Sequence, residues 1–255
     1  MKQDLIDYTL HLADDALIIG HRNSEWCGHG PILEQDIAIT NISLDLIGQA
    51  RNLYQYAAEL LNQQQGTIEV TEDTLAYLRD GWDFKNCLLA EQPKGDWAYT
   101  VLRQFLFSAY QYCLFGQLQH CEDATIAAIA MKSLKEVTYH VRWSSEWVIR
   151  LGDGTAESHG RIRNALASLW MFTGELFDLT TFESRIYKAW NIDNGAIKTD
   201  WEAKVSAVLR EATLEIPDKA TWHQKGGKTG THSEHLGFLL AEMQSIQRAY
   251  PGNEW

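Results

Sequence analysis

A line of polar side chains, Asn41, Asp45, Gly48, Asn52, Gln55 and Glu59, recurs at steps of three and four along one stretch of this chain. Metal chemistry between helices is built on such lines. Carboxylate-bridged di-iron bundles take a Glu from each of two helices and a Glu-x-x-His pair from each of the other two, because i,i+3 spacing turns both ligands to one side. Here the place for that pair reads Asp45-x-x-Gly48, and Gly carries no ligand atom. Further on, two registers compete, Glu136-x-x-Tyr139 and Val137-x-x-His140, and each lacks one ligand. Glu136 and His140 are four apart and could share a metal, but Lys132 and Lys135 beside them would repel it. Between these stretches only Gln104, Gln111 and Gln117 stand where a Glu is needed. The residues therefore predict a degenerate seam held by hydrogen bonds and ion pairs, since buried polar groups are paired whether or not a metal remains. Asp45 is expected to be buried and paired with Lys132, Lys135, Arg51 or His140.

Three other motifs invite a chemical reading. His232-x-Glu234-His235 has metal-ligand residue types, but Thr231-x-x-Glu234 reads as a capping box opening the last helix, and the H-E-x-x-H order of zinc proteases is absent. Gly227-Lys228-Thr229 has the ending of a phosphate-binding loop, yet position 222, where its leading Gly would fall, is Trp. Gln224–Gly230 still reads as a mobile basic loop able to meet a phosphate. Cys27 and His29, in the Ser24–His29 stretch, are a nucleophile pair by type, but a helix-joining turn anchored by Trp26 explains them better.

The elements that must position these residues are helices. From Asp36 to Leu61, Ile39, Ile42, Leu46, Ala50, Leu53, Ala57 and Leu60 keep the helical period, and the scarcity of Lys and Glu opposite them predicts a helix buried nearly all round. A first helix is predicted over 4–20, with Asp7, His11 and Asp15 four apart on one face. After Gly28, Gly30 and Pro31 comes the 36–61 helix, then a polar loop at Gln63–Gly66 and short helices near 73–79 and 82–90. Asp96 caps a long aromatic helix over 97–119 whose one full charge is Arg103, and a fourth long helix runs over 124–151 to Gly152-Asp153-Gly154. Helices are also predicted over 161–177, 180–190, 200–213 and 233–249. Capping boxes are read at Thr180-x-x-Glu183 and Thr199-x-x-Glu202. Only Thr67–Thr71 has a strand-like look. The pattern predicts an all-α fold, a four-helix bundle core with additional helices, in a single domain over 1–255.

Composition bounds the function. At 255 residues, with 45% hydrophobic and 22% charged side chains, the chain can bury a large core. A net charge of −12 argues against nucleic acid, whose binding needs clustered Lys and Arg. No leader and no long apolar run is present, so neither secretion nor membrane spanning is expected. Cys27, Cys87, Cys113 and Cys121 form no C-x-x-C pair and read as buried free thiols of a cytosolic protein. Ten Trp and ten Tyr suggest a partner interface, with Trp143, Trp147 and Trp170 as candidates.

Several stretches together carry a resemblance. They are Glu25-Trp26-Cys27-Gly28-His29, Leu44-Asp45-Leu46-Ile47-Gly48-Gln49-Ala50-Arg51, Glu91-Gln92-Pro93, Lys135-Glu136 with Tyr139-His140, Glu175-Leu176-Phe177-Asp178, and His235-Leu236-Gly237 running into Leu240-Ala241-Glu242-Met243-Gln244. The chain resembles the C subunits of bacterial 1,2-phenylacetyl-CoA epoxidases over almost its whole length. The resemblance implies a ferritin-like bundle in a cytosolic multicomponent oxygenase. In that family a related A subunit holds the di-iron centre and binds the CoA thioester. A small B subunit bridges assemblies, and a flavin/iron–sulfur reductase supplies electrons from NADPH. The C subunit itself holds no cofactor and supports A. Two alternatives stand beside this structural role. One is an active di-iron oxygenase using Asp45, Glu136 and His140 with His11 or Asp15; the other is a helical CoA-thioester binder gripping a phosphate with its basic loop.

Overall fold

The computed structural model describes residues 2–64, 69–217 and 222–253. Four long helices dominate it: α1 (Lys2–Ser24), α2 (Leu33–Asn62), α5 (Trp97–Leu118) and α6 (Ala124–Gly152). Short α3 (Glu72–Tyr77) and α4 (Leu88–Glu91) lie between the second and third of these. After the bundle come α7 (Ala156–Leu169), α8 (Thr181–Trp190), α9 (Asn194–Glu211), α10 (Glu234–Met243) and α11 (Ser245–Ala249). Among the described residues there is no strand, and the architecture is all-α with a ferritin-like bundle at its centre. The Gln63–Gly66 loop and the strand-like Thr67–Thr71 stretch fall in part outside the described residues.

Packing follows the apolar periodicity. α1 lies mainly on α2, and α5 on α6. Gly20 lets the first pair approach closely, since a Cβ there would stand 3.2 Å from that of Leu46. The helices buried all round are α1, every residue of which from Tyr8 to Gly20 is buried, and α5 from Thr100 to Gln111. α2 differs from expectation. Ile39, Ile42 and Leu46 enter the core, each side chain contributing about 1.5–3 kcal/mol by burial, while Leu33, Ile37 and Leu44 stand in solvent, Leu33 at 72% exposure. Its short amides mark an unusual outer face rather than a second buried one.

Caps fix the helix starts. Asp96 accepts from Tyr99 N, Asp123 from Thr125 N and Ile126 N, and Thr180 and Glu183 form the expected reciprocal box. Two expected boxes are absent. Thr199 lies inside α9, which Asp193 caps, and α10 begins after Ser233, so Thr231 caps nothing. α8 packs on α1 and α9 on α5 and α6, bringing the second half of the chain back onto the bundle. Among the described residues, no helix is long and apolar enough to cross a membrane.

Candidate functional site

The polar line of α2 meets α6 in two rungs. His140 Nε2 lies 2.9 Å from Asp45 Oδ2, which can only accept, so that nitrogen carries the proton. One turn away, Gln49 Nε2 donates to Glu136 Oε2 at 2.9 Å, and from α5 Gln111 Nε2 reaches Gln49 Oε1 at 3.4 Å. The order Asp45–Gln49 against His140–Glu136 is that of antiparallel helices. His140 is buried, with Nδ1 left unpartnered among the described residues, whereas the Asp45 side chain is 36% exposed.

Asp45 takes one of its four expected partners, and it is the expected burial that is corrected. Asp45 sits at the groove rather than in the core, and its partner is His140. Arg51 reaches Glu72 instead, at 3.5 Å, and Lys132 and Lys135 are exposed with no ion pair among the described residues. The physical reason is register: the turn of α6 that faces α2 presents positions 136 and 140, which leaves 132 and 135 to solvent. Tyr139 is likewise exposed, under the Arg142 guanidinium at 5.8 Å. A Cβ on Gly48 would meet nothing within 4 Å, so the seam has room there for a side chain and lacks only the ligand atom. Among the described residues, no group of three or more His, Cys, Asp or Glu is placed to hold a metal ion. The residues of the seam do not fit a di-iron centre.

Nor do the α1 acids come to the seam. His11 Nδ1 donates to Lys85 O at 2.8 Å, and its Nε2 faces Glu183 Oε1 at 3.4 Å and Asp15 Oδ2 at 3.7 Å. Asp15 accepts from Cys87 N at 2.7 Å, and burial raises its pKa against the pull of His11. Asp14 is held by Arg79, by Tyr54 Oη at 2.5 Å and by Lys85 N at 2.7 Å. Both acids are absorbed in holding the 79–87 segment to α1.

Lys228 is the largest departure from the sequence reading. Instead of lying in a mobile basic loop, it is buried, donating from Nζ to Glu183 Oε1 at 2.9 Å, Asp178 O at 3.2 Å and Leu176 O at 3.3 Å. Burial disfavours its charge, but the Glu183 carboxylate outweighs that and lifts its pKa above the usual lysine range. Burial likewise raises Glu183, and Lys228 and His11 more than reverse it. Glu175 accepts from Gly226 N and Leu88 N, both at 2.7 Å, so the loop is held at Gly226 as well as at Lys228, whose ammonium is not offered to a phosphate.

Other motif residues serve as clasps. His232 stands 2.8 Å from Glu91 Oε2 and 2.9 Å from Phe84 O, two acceptors on two ring nitrogens. Burial lowers its pKa, but the bond to Glu91 and that carboxylate's charge raise it overall. Arg22 joins Glu25 at 2.8 Å, His235 O at 2.7 Å and Glu91 O at 3.2 Å. Arg103 is fully buried, bonded to the carbonyls of Gln92 and Pro93, and burial together with nearby Arg22 lowers its pKa to about 10. Cys27 is exposed rather than buried, and His29 bonds to its carbonyl, not its thiol. Trp143 and Trp147 turn inward, both donating to Gln35 Oε1, and Trp170 packs on Trp201; among the described residues the exposed indoles are Trp82 and Trp222.

A family model described as "Phenylacetic acid catabolic protein" matches residues 1–255. The C subunit of the 1,2-phenylacetyl-CoA epoxidase of Escherichia coli (strain K12) is 45% identical over 252 residues, covering 98% of this chain and 99% of that protein.

Proposed function

The chain belongs to the phenylacetic acid catabolic protein family, and on that premise we propose that it is the structural subunit of a 1,2-phenylacetyl-CoA epoxidase. In this reading a related catalytic partner holds the di-iron centre and the acyl-CoA, and this chain stabilises it without performing chemistry. A small bridging protein and a flavin/iron–sulfur reductase drawing on NADPH complete the assembly, which works in the cytosol.

One observation carries the proposal: the seam where a bundle would build a metal site is filled by the rungs Asp45–His140 and Gln49–Glu136, with Gly48 in place of a ligand. The seam is then a metal site that has lost its ligands and kept its hydrogen bonds. The row of Leu33, Ile37 and Leu44 beside it gives a partner helix an apolar face to cover. The readings with catalysis or CoA binding in this chain lose their residues to other work, His11 and Asp15 to the α1 network and Lys228 to Glu183.

The test expresses the catalytic partner with and without this chain, then assays epoxidation of phenylacetyl-CoA with reductase. Turnover and solubility should require this chain while its iron content stays near zero. A catalytic partner that is soluble and fully active alone would end the proposal.

A further inference from the structure

The outer side of α6 carries its charges in a symmetrical order. Lys132, Tyr139 and Glu146 are exposed and follow one another two helical turns apart, about 10 Å from each to the next, with the tyrosine in the middle. Closer in, Glu136 and Arg142 lie one turn to either side of Tyr139. Neither Lys132 nor Glu146 makes an ion pair among the described residues. A helix that reads base, acid, Tyr, base, acid meets the opposite charge at every position when laid antiparallel on a copy of itself.

The seam fixes which part of α2 lies level with that centre. Asp45 faces His140 and Gln49 faces Glu136, so Tyr139 stands level with Leu46. Leu44 and Gly48, one on each side of Leu46 and equally far from it, are a projection and a shelf. The Leu44 side chain is 61% exposed, and a Cβ on Gly48 would meet nothing within 4 Å. A twofold axis passing between the helices at this level, at right angles to them, seats Leu44 of each copy on Gly48 of the other. The same axis pairs Lys132 with Glu146 of the second copy and Arg142 with its Glu136. Charge order on α6 and shape on α2 thus give one centre independently.

We propose that the α2–α6 face is a twofold contact between two copies of this chain, centred on Tyr139 and Leu46. The contact takes Leu44, Ile37 and Tyr139 out of water and brings Ile37 against the uncharged Gln55 of the second copy. It is a property of the chain alone and does not rest on the structural role. It covers the apolar row of α2 while a catalytic partner is absent.

Sedimentation velocity of the full chain tests this. The chain should be a reversible dimer with a Kd of about 1–10 µM. Glu146→Lys, which sets like charges opposite Lys132 twice in each dimer, should weaken association about tenfold or more. Lys132→Glu combined with Glu146→Lys restores the pairs with their signs reversed and should return the Kd to within about threefold of the parent. Leu44→Glu should leave a monomer. All three positions are exposed, and thermal unfolding confirms that each variant is folded. A chain that remains monomeric at about 50 µM overturns the proposal. So does a dimer indifferent to Glu146→Lys, which would be held by another face, or a double variant that associates no better than Glu146→Lys alone.

Discussion

Replacing Lys228 with Met should be among the most damaging single changes in this chain. The side chains of Lys228 and Glu183 are 3% and 0% exposed, and the nearly isosteric Met fills the space while removing the charge. Glu183 would keep Thr180 N at 2.7 Å and His11 Nε2 at 3.4 Å, but the Asp178 and Leu176 carbonyls would lose their donor. Removing one partner of a buried pair costs about 3–5 kcal/mol, because the other charge is left uncompensated. In a domain of this size that is a fall in Tm of about 10 °C. The assay is urea unfolding followed by tryptophan fluorescence, run on Lys228→Met, Glu183→Gln and the double variant. The double variant carries no stranded charge and should recover at least about half of the loss. A cost below about 1 kcal/mol for Lys228→Met, the value of an exposed pair, would refute the reasoning. So would a double variant no more stable than either single one.

The same unfolding measurement on Asp45→Asn should show a loss of under about 1 kcal/mol, because the carboxylate is partly solvated and an amide oxygen can still accept from His140; a loss above about 2 kcal/mol would place that pair in the core. For His232, whose pKa is raised in the fold, the contribution is full below the unfolded value of about 6.5 and is lost as pH rises through the folded value. Stability should therefore decline above about pH 6.5, and His232→Gln should flatten that decline; an identical slope in the variant would count against the clasp. Anaerobic reconstitution of the isolated chain with ferrous iron, followed by metal analysis, should leave well under one iron per chain, and near-unit occupancy would show that ligands converge elsewhere.

The sequence made the helices legible because their signals are local. Asp96 and the Thr180–Glu183 box mark their helices through bonds to residues three positions on, which a linear reading can find. Thr199 misled because the same spelling occurs inside a helix whose start is set by Asp193. Partners across the fold were harder to read. Asp45 and His140 were both in view, but only the rotation of α6 chooses His140 over Lys132 and Lys135. Lys228 looked mobile because glycines flank it, and its counter-charge stands far upstream at Glu183. The solvent-facing side of α2 carried a signal that points elsewhere: it is short of Lys and Glu, and its outer face holds Leu33, Ile37 and Leu44.

The clasps impose an order of events on the newborn chain. Once Gly152 has left the ribosome all four bundle helices exist, yet Glu91, buried beneath them, still lacks His232 and the Ser233 amide, and Glu183 will in turn wait for Lys228. At about 5–20 residues per second, translation from Gly152 to His232 takes roughly 4–16 s. Through that interval Glu91 has the Asn86 amide as a donor but lacks the two that His232 and Ser233 bring, so its final locking is deferred until that segment emerges. A stop codon or proteolytic cut just before His232 would leave a nearly complete bundle permanently unlatched, an end product suited to quality-control degradation rather than to partial function.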